Sequence, residues 1–255
     1  MSFPINIAAL ATTDLSDACT IADCDCVVNC IVTFSSELAA WRRRFLGTFT
    51  AGESIAVRIA RAFTKKSIIL FSGYHGWSDW YLAANITDKR NLNNHLIKDL
   101  APHGVPIELK GTSVAFEYNN LQDLFDKIQQ NKSNLAGIVM EPARSAEADA
   151  SYLKEVRKLA IENSVPLIFD EISSGFRQSK GPYAANFGVT PDMYVFAKSI
   201  GNGYPIAAIT GSAALMKEFN HSFVSSTNWT EAVGLSAIAL SPLPSEHFFC
   251  VKIKL

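Results

Sequence analysis

The chain is short of charge. Asp, Glu, Lys and Arg make up 18% of its 255 residues, against about 25% in ordinary soluble domains. The 23 basic and 24 acidic side chains leave a net charge of −1. That removes the electrostatic case for nucleic-acid binding, because no cationic excess is available to neutralise phosphates. So little charge implies either an unusual share of hidden surface or surface kept for a partner. Long hydrophobic runs are also missing. Stretches such as Val165–Phe169 and Pro205–Ile209 fall far below the ~20 residues that cross a bilayer. Residues 1–40 contain no Lys or Arg, so neither a secretory signal nor a mitochondrial transit peptide is expected, and the expected compartment is the cytoplasm. Residues 1–74 contain no His. Of five cysteines, Cys19, Cys24, Cys26 and Cys30 cluster and Cys250 stands apart. Their spacing fits neither a zinc ribbon nor a ferredoxin, so ordinary reduced thiols are expected and no metal. An odd count also argues against a disulfide scaffold.

What is present is a globular composition. With 48% hydrophobic residues, 14 Gly and 10 Pro, a disordered or collagen-like chain is excluded, and the length predicts one to two domains at ~150 residues each. Residues 52–66 place Ile55, Ile59, Ala62 and Phe63 at helical spacing, with Glu53 and Ser54 in the first turn and Lys65 and Lys66 at the end. This predicts an amphipathic helix. Ser67–Phe71 comes next as a short apolar strand. The alternation repeats: helices over Leu121–Gln130 and Tyr152–Ile161, strands over Gly137–Met140, Pro166–Phe169, Met193–Ala197 and Ile206–Thr210. Near-continuous apolar strands separated by amphipathic helices predict an α/β fold, its parallel sheet covered on both faces. The polar stretch Tyr81–Lys110 reads as a lid or contact loop. Residues 1–48 and 231–255 fit the rhythm poorly.

The residues just past each strand carry the chemistry. In open parallel sheets, ligands bind beyond the carboxyl ends of the strands. Here those ends lead into Ser72-Gly73-Tyr74-His75-Gly76, Glu141-Pro142, Asp170-Glu171 and Lys198. An isolated strand-end Asp is more commonly a helix cap or ion-pair partner, a lone Lys is usually solvated, and Tyr74 could be a core aromatic. Four polar strand ends on one rim are harder to dismiss. Lys198 closes an apolar strand ahead of Ser-Ile-Gly-Asn-Gly, and burial there would make it a usable nucleophile. No Gly-x-Gly-x-x-Gly follows the first strand, which argues against a nucleotide-binding enzyme.

Several segments in order, VRIARAFT (57–64), GYHGWSDW (73–80), GIVMEPAR (137–144), FDEISSGFR (169–177), FAKSIGNGYPIAA (196–208) and SSTNWTE (225–231), resemble class III aminotransferases. The branch containing glutamate-1-semialdehyde aminomutases is the nearest. The resemblance implies the large domain of a fold type I enzyme that uses pyridoxal 5′-phosphate (PLP), spanning 49–231 between a divergent segment 1–48 and an atypical tail 232–255. It implies that Lys198 forms the Schiff base with the cofactor and then moves the substrate proton, and that Asp170 pairs with the pyridine nitrogen. Tyr74 would stack on one ring face with His75 beside it, and Ile172, two residues past Asp170 on the strand, would cover the other. Gly52, Glu53 and Ser54, opening the 52–66 helix, would offer backbone N–H groups to the phosphate, and Thr227 would reach the phosphate of a neighbouring subunit in a homodimer.

The substrates implied are a small-molecule amine donor and a carbonyl acceptor. The sequence departs from relatives at Thr48–Gly52, where a Gly-rich loop is expected, and at Ser78, where His is common. Glu141 would lie near the cofactor or anchor a loop through Arg144. The tail after Glu231 lacks the continuation into a C-terminal small domain. The rival expectation is a truncated, non-catalytic relative that binds PLP weakly or acts only through subunit association.

Overall fold

In the computed structural model the described residues are 41–46, 49–143, 149–177, 179, 181–224 and 232–240. Strand β1 (Trp41–Leu46) leads into helix α1 (Phe49–Thr64) and strand β2 (Ile68–Ser72), followed by two single-turn helices, α2 (Asp79–Leu82) and α3 (Ala84–Thr87). Then come β3 (Ser113–Ala115), α4 (Leu121–Asn131), β4 (Leu135–Met140), α5 (Ala150–Glu162), β5 (Leu167–Asp170), β6 (Met193–Phe196), β7 (Ala207–Ser212), α6 (Ala213–His221) and α7 (Ala232–Leu240). All seven strands form one sheet in the order β1-β7-β6-β5-β4-β2-β3. The run from β3 to β6 is parallel, and β7 alone runs against its neighbours β6 and β1.

The central strands are parallel because each is apolar on both faces and each return passes through a helix. Every residue of β4, β5 and β6 is buried, and alternate side chains feed two cores. Ile69, Phe71, Val139, Ile168 and Val195 meet Ala56, Val57, Ile59 and Ala60 of α1 on one face. Leu70, Ile138, Leu167, Phe169 and Phe196 meet Leu124, Ile128, Leu153 and Val156 of α4 and α5 on the other. Each of the Val, Leu, Ile and Phe side chains contributes about 1.5–3 kcal/mol by leaving water. The helices start where side chains satisfy their first N–H groups. Asn120 accepts from Asp123 N at 3.0 Å, and Asp149 accepts from Ser151 N at 2.8 Å. Arg157 on α5 grips Asp192, whose Oδ2 also accepts from Leu167 N at 2.9 Å, which fixes the entry to β5.

The fold departs from the expected pattern in five places. The first helix begins at Phe49, a turn before Gly52. Its early boundary carries no sequence mark, since Thr50 and Ala51 are as compatible with helix as with loop. Strand β1 lies upstream of the expected boundary at residue 49 and edges the sheet against β7. The last expected strand, β7, is antiparallel, reached from β6 by a short connection rather than a crossover helix. The Tyr81–Lys110 stretch is a packed segment, with Tyr81, Ala84 and Leu92 buried in the core. Asn85 supplies hydrogen bonds that regular structure would otherwise provide, donating to Leu100 O at 2.7 Å and accepting from Leu92 N at 3.0 Å. In the expected tail, α7 packs close enough that a Cβ on Gly234 would lie 2.8 Å from Ile206 Cδ1.

Candidate active site

Because β2, β4, β5 and β6 are adjacent and parallel, their carboxyl ends share one rim. Asp170 is the last residue of β5 and is buried. Its Oδ2 lies 2.8 Å from His75 Nδ1, and its Oδ1 accepts the backbone N–H of Ile172 at 3.0 Å. As a carboxylate it offers only acceptors, so Nδ1 carries the imidazole proton and donates. His75 is buried among aromatics, with ring centroids of Phe71, Trp80 and Tyr81 at 6.0, 5.9 and 5.7 Å. Its Nε2 has no hydrogen-bond partner among the described residues.

The loop after β2 is held from several sides. Glu141, just past β4, accepts from Tyr74 N at 2.9 Å. Gly73 has φ +123°, and a Cβ there would stand 2.7 Å from Glu141 Oε2. Only glycine satisfies both the backbone conformation and the approach of the carboxylate. Tyr81 Oη donates to Gly73 O at 2.9 Å, and Gly73 N donates to His95 Nδ1 at 3.2 Å. Tyr74 is half-buried, its ring edge-on to Tyr81 at 6.1 Å. Glu141 therefore anchors a loop through the Tyr74 backbone; Arg144 lies outside the described residues.

Lys198 follows β6 after one residue. Asp170 pairs in register with Val195 of that strand, so lysine and aspartate stand at the ends of neighbouring strands. Lys198 has φ +51°, left-handed backbone that costs a β-carbon residue about 1–2 kcal/mol. Its Nζ donates to Ser173 Oγ at 2.8 Å. The side chain is exposed, which corrects the expectation that burial activates it. The lysine stands at the rim with its amine held by a hydroxyl.

Four other expected positions are revised. Ile172 is not on the strand: β5 stops at Asp170, and Ile172 sits in the following turn with its side chain in the α1-face core. Glu53 and Ser54 do not open a helix. They fall one turn inside α1, where their N–H groups are spent on the helix's own hydrogen bonds. Gly52 faces the sheet, where a Cβ would lie 3.0 Å from Val195 Cγ1. Ser54 Oγ is 2.8 Å from Ser78 Oγ. Glu53 instead lies fully buried beside the rim, with one oxygen within 4.8 Å of a ligand atom of both His75 and Asp170. Burial, with Asp170 and Glu141 nearby, pushes its carboxyl well above the usual range. Thr227 lies outside the described residues.

Glu171 is the functional-looking group that sequence reasoning left unexplained. It accepts from Ser174 Oγ at 2.5 Å, Tyr183 N at 3.0 Å and Ala184 N at 2.9 Å. Burial pushes its carboxyl up to about 7. Its partners are loop atoms, so it fastens the chain after β5 and does not face the rim. A cleft of about 510 Å³ runs between α1 and Trp77–Trp80, lined by Ser54, Val57, Arg58 and Arg61. None of Asp170, Glu141 and Lys198 borders it.

The aminotransferase class-III family model matches residues 42–240, which take in every strand except the first residue of β1, and the whole rim. The chain belongs to this family. It is 37% identical over 191 residues to a 3-aminobutyryl-CoA aminotransferase of Cloacimonas acidaminovorans (strain Evry), covering 72% of this chain and 42% of that protein. It is also 37% identical over 175 residues to a glutamate-1-semialdehyde 2,1-aminomutase of Nitrosopumilus maritimus (strain SCM1), covering 66% and 40%. Among solved structures, an omega-transaminase from Sphaerobacter thermophilus shares the fold with a TM-score of 0.69 at 24% identity, over 83% of this chain and 52% of that one. Thus this class III chain spans about two fifths of the length of those curated relatives. The fold is the mostly parallel, helix-covered sheet of fold type I transaminases. No helix among the described residues is long and apolar enough to cross a membrane.

Proposed function

We propose that this class III chain binds PLP at the rim of its sheet and moves an amino group between a small-molecule amine and a carbonyl compound. The observation that carries this reading is the buried carboxylate of Asp170, fixed by His75 Nδ1 and the Ile172 N–H one strand away from Lys198. When bound, the cofactor supplies an electron-withdrawing ring that delocalises charge from the substrate carbon.

The residues present fit such a group. Asp170 has about four lone-pair positions, and two protein donors leave room for a ring N–H. Lys198 offers an amine to the cofactor aldehyde, and the same amine is the group to hold and deliver a proton at the substrate carbon. Its hydrogen bond to Ser173 orients the nitrogen before anything binds. Tyr74, pinned by Glu141, supplies an aromatic wall. The phosphate falls to the first turn of α1, upstream of Glu53, where N–H groups are not used within the helix.

A second reading is a non-catalytic relative that binds PLP weakly. The location of Glu53 and Ser54 inside the helix favours it, since fewer of the expected N–H groups remain for the phosphate. Association into a homodimer, with Thr227 contributing across the interface, belongs to the same proposal. Trp77 and Phe223, 70% and 89% exposed, support it as aromatic surface suited to a partner. Absorption spectra on adding PLP, followed by turnover assays with a panel of amines, separate the readings. Binding with turnover supports the enzyme, binding without turnover the weakly binding relative, and no binding refutes every reading that uses PLP.

A further inference from the structure

Two carboxylates share the buried end of the rim, and only one is supplied with donors. Asp170 receives the Ile172 N–H and His75 Nδ1. Glu53, fully buried on α1, has no hydrogen-bond donor at either oxygen among the described residues. Yet Glu53, His75 and Asp170 each bring an atom within 4.8 Å of the other two. Two ionised carboxylates this close in an apolar setting repel strongly, so one of them holds a proton. Asp170 is already stabilised as an acceptor, whereas ionised Glu53 would stand in the core with no hydrogen-bond donor among the described residues.

We propose that Glu53 is the proton-bearing partner of Asp170: a buried carboxylic acid that directs its O–H to that carboxylate and, with His75, positions it toward the rim. The count of lone pairs is consistent. His75, Ile172 N–H and Glu53 take three of about four positions, leaving one for a cationic N–H above. Glu53 is thus a positioning residue acting through Asp170. The inference rests on the proposed function only for what the remaining lone pair meets.

The charged surroundings agree. Asp170 at the end of β5 and Glu141 past β4 act on Glu53, and His75 past β2 lies beside it. The neighbouring strands β6 and β7 bring Val195 and Ala207 to the adjacent Gly52. Helix α6 packs against the same core through Leu215, Met216 and Phe219 and leaves Lys217 exposed. Among the described residues no lysine or arginine shifts Glu53, and both carboxylates nearby, like burial itself, favour the neutral acid.

The test uses the full chain without cofactor, so it stands apart from any failure to bind PLP. Infrared spectra at neutral pH are compared for the parent, Glu53→Gln and Asp170→Asn. The expected result is a protonated-carboxyl carbonyl band in the parent that is lost in Glu53→Gln and shifted in Asp170→Asn. Any band from Glu171 persists in all three and cancels. An unchanged band in Glu53→Gln overturns the proposal. A second measurement follows the urea midpoint against pH in a Glu171→Gln background, which removes the other raised carboxyl among the described residues. A proton held by folded Glu53 but released on unfolding makes the midpoint fall as pH rises above the ordinary carboxyl range. Glu53→Gln, neutral and still a donor, should keep the low-pH midpoint and lose the slope, whereas Glu53→Leu should lower the midpoint at every pH. If Glu53→Gln does not fold, the slope decides: a midpoint that rises with pH overturns the proposal, and one that falls supports it.

Discussion

His75 Nδ1 and Asp170 Oδ2 meet at 2.8 Å across 95 residues of sequence, tying the loop after β2 to the last residue of β5. The contact exists because both strands are parallel members of one sheet with only β4 between them. It gives the carboxylate a fixed direction, and both partners are shielded from water. Replacing His75 by Ala removes a hydrogen bond to a carboxylate and the ring packed against Phe71, Trp80 and Tyr81. The expected loss is about 2–4 kcal/mol of unfolding free energy, read from urea midpoints; a loss below about 0.5 kcal/mol would count against the contact.

Gly73 and Glu141 form a matched pair. Gly73→Ala puts a Cβ 2.7 Å from Glu141 Oε2 at φ +123°, so the loop must move, at a cost of about 1–3 kcal/mol. In a Glu141→Ala background the steric part of that cost disappears. A double-mutant cycle on thermal stability should therefore be non-additive, and additive values would contradict the close approach.

Glu171 sets a pH dependence with a definite sign. Its folded carboxyl titrates at about 7 against an ordinary 4.5, so the folded chain keeps a proton that the unfolded chain releases between those values. Stability from this group is fully present below about 4.5, declines as pH rises, and levels off above about 7, a change of about 3 kcal/mol. Glu171→Gln should abolish this part of the decline in a series of urea titrations. A slope unchanged by the substitution would show that Glu171 is not its source.

Lys198 carries a conformational cost at φ +51°. Lys198→Gly should be more stable than Lys198→Ala by about 1 kcal/mol, with neither variant able to join covalently to an aldehyde there. Equal melting temperatures for the two would mean that the backbone relaxes on substitution.

Much of this was legible before folding because the strands announce themselves. GIVM, PLIF and MYVF are apolar on both faces, which reports parallel strands buried between helices, and the residues just past the ends of such strands must gather on one rim. That logic brought Asp170, Lys198, Glu141 and the Tyr74–His75 pair together from sequence alone. Other features depend on pairing over distance. Strand β1 has three arginines in six residues and no alternation, so only its partner β7 makes it a strand. The packed turns from Asp79 to Lys110 are held by side-chain-to-backbone bonds such as those of Asn85, which leave no periodic trace. Glu53 looked like a first-turn residue because acidic groups favour helix starts. In the structure α1 begins three residues earlier, so Glu53 falls one turn in, and it lies on the buried face beside Asp170.

The central claim is that Lys198 and Asp170 form one cofactor site. The direct measurement incubates the full chain with PLP, follows the visible absorption band, reduces with borohydride and locates the added mass by peptide mapping. The account predicts a saturable band and a pyridoxyl label on Lys198, absent in Lys198→Ala and with weakened binding in Asp170→Asn. No band at saturating PLP, or a label distributed over other lysines and indifferent to Asp170, would contradict it.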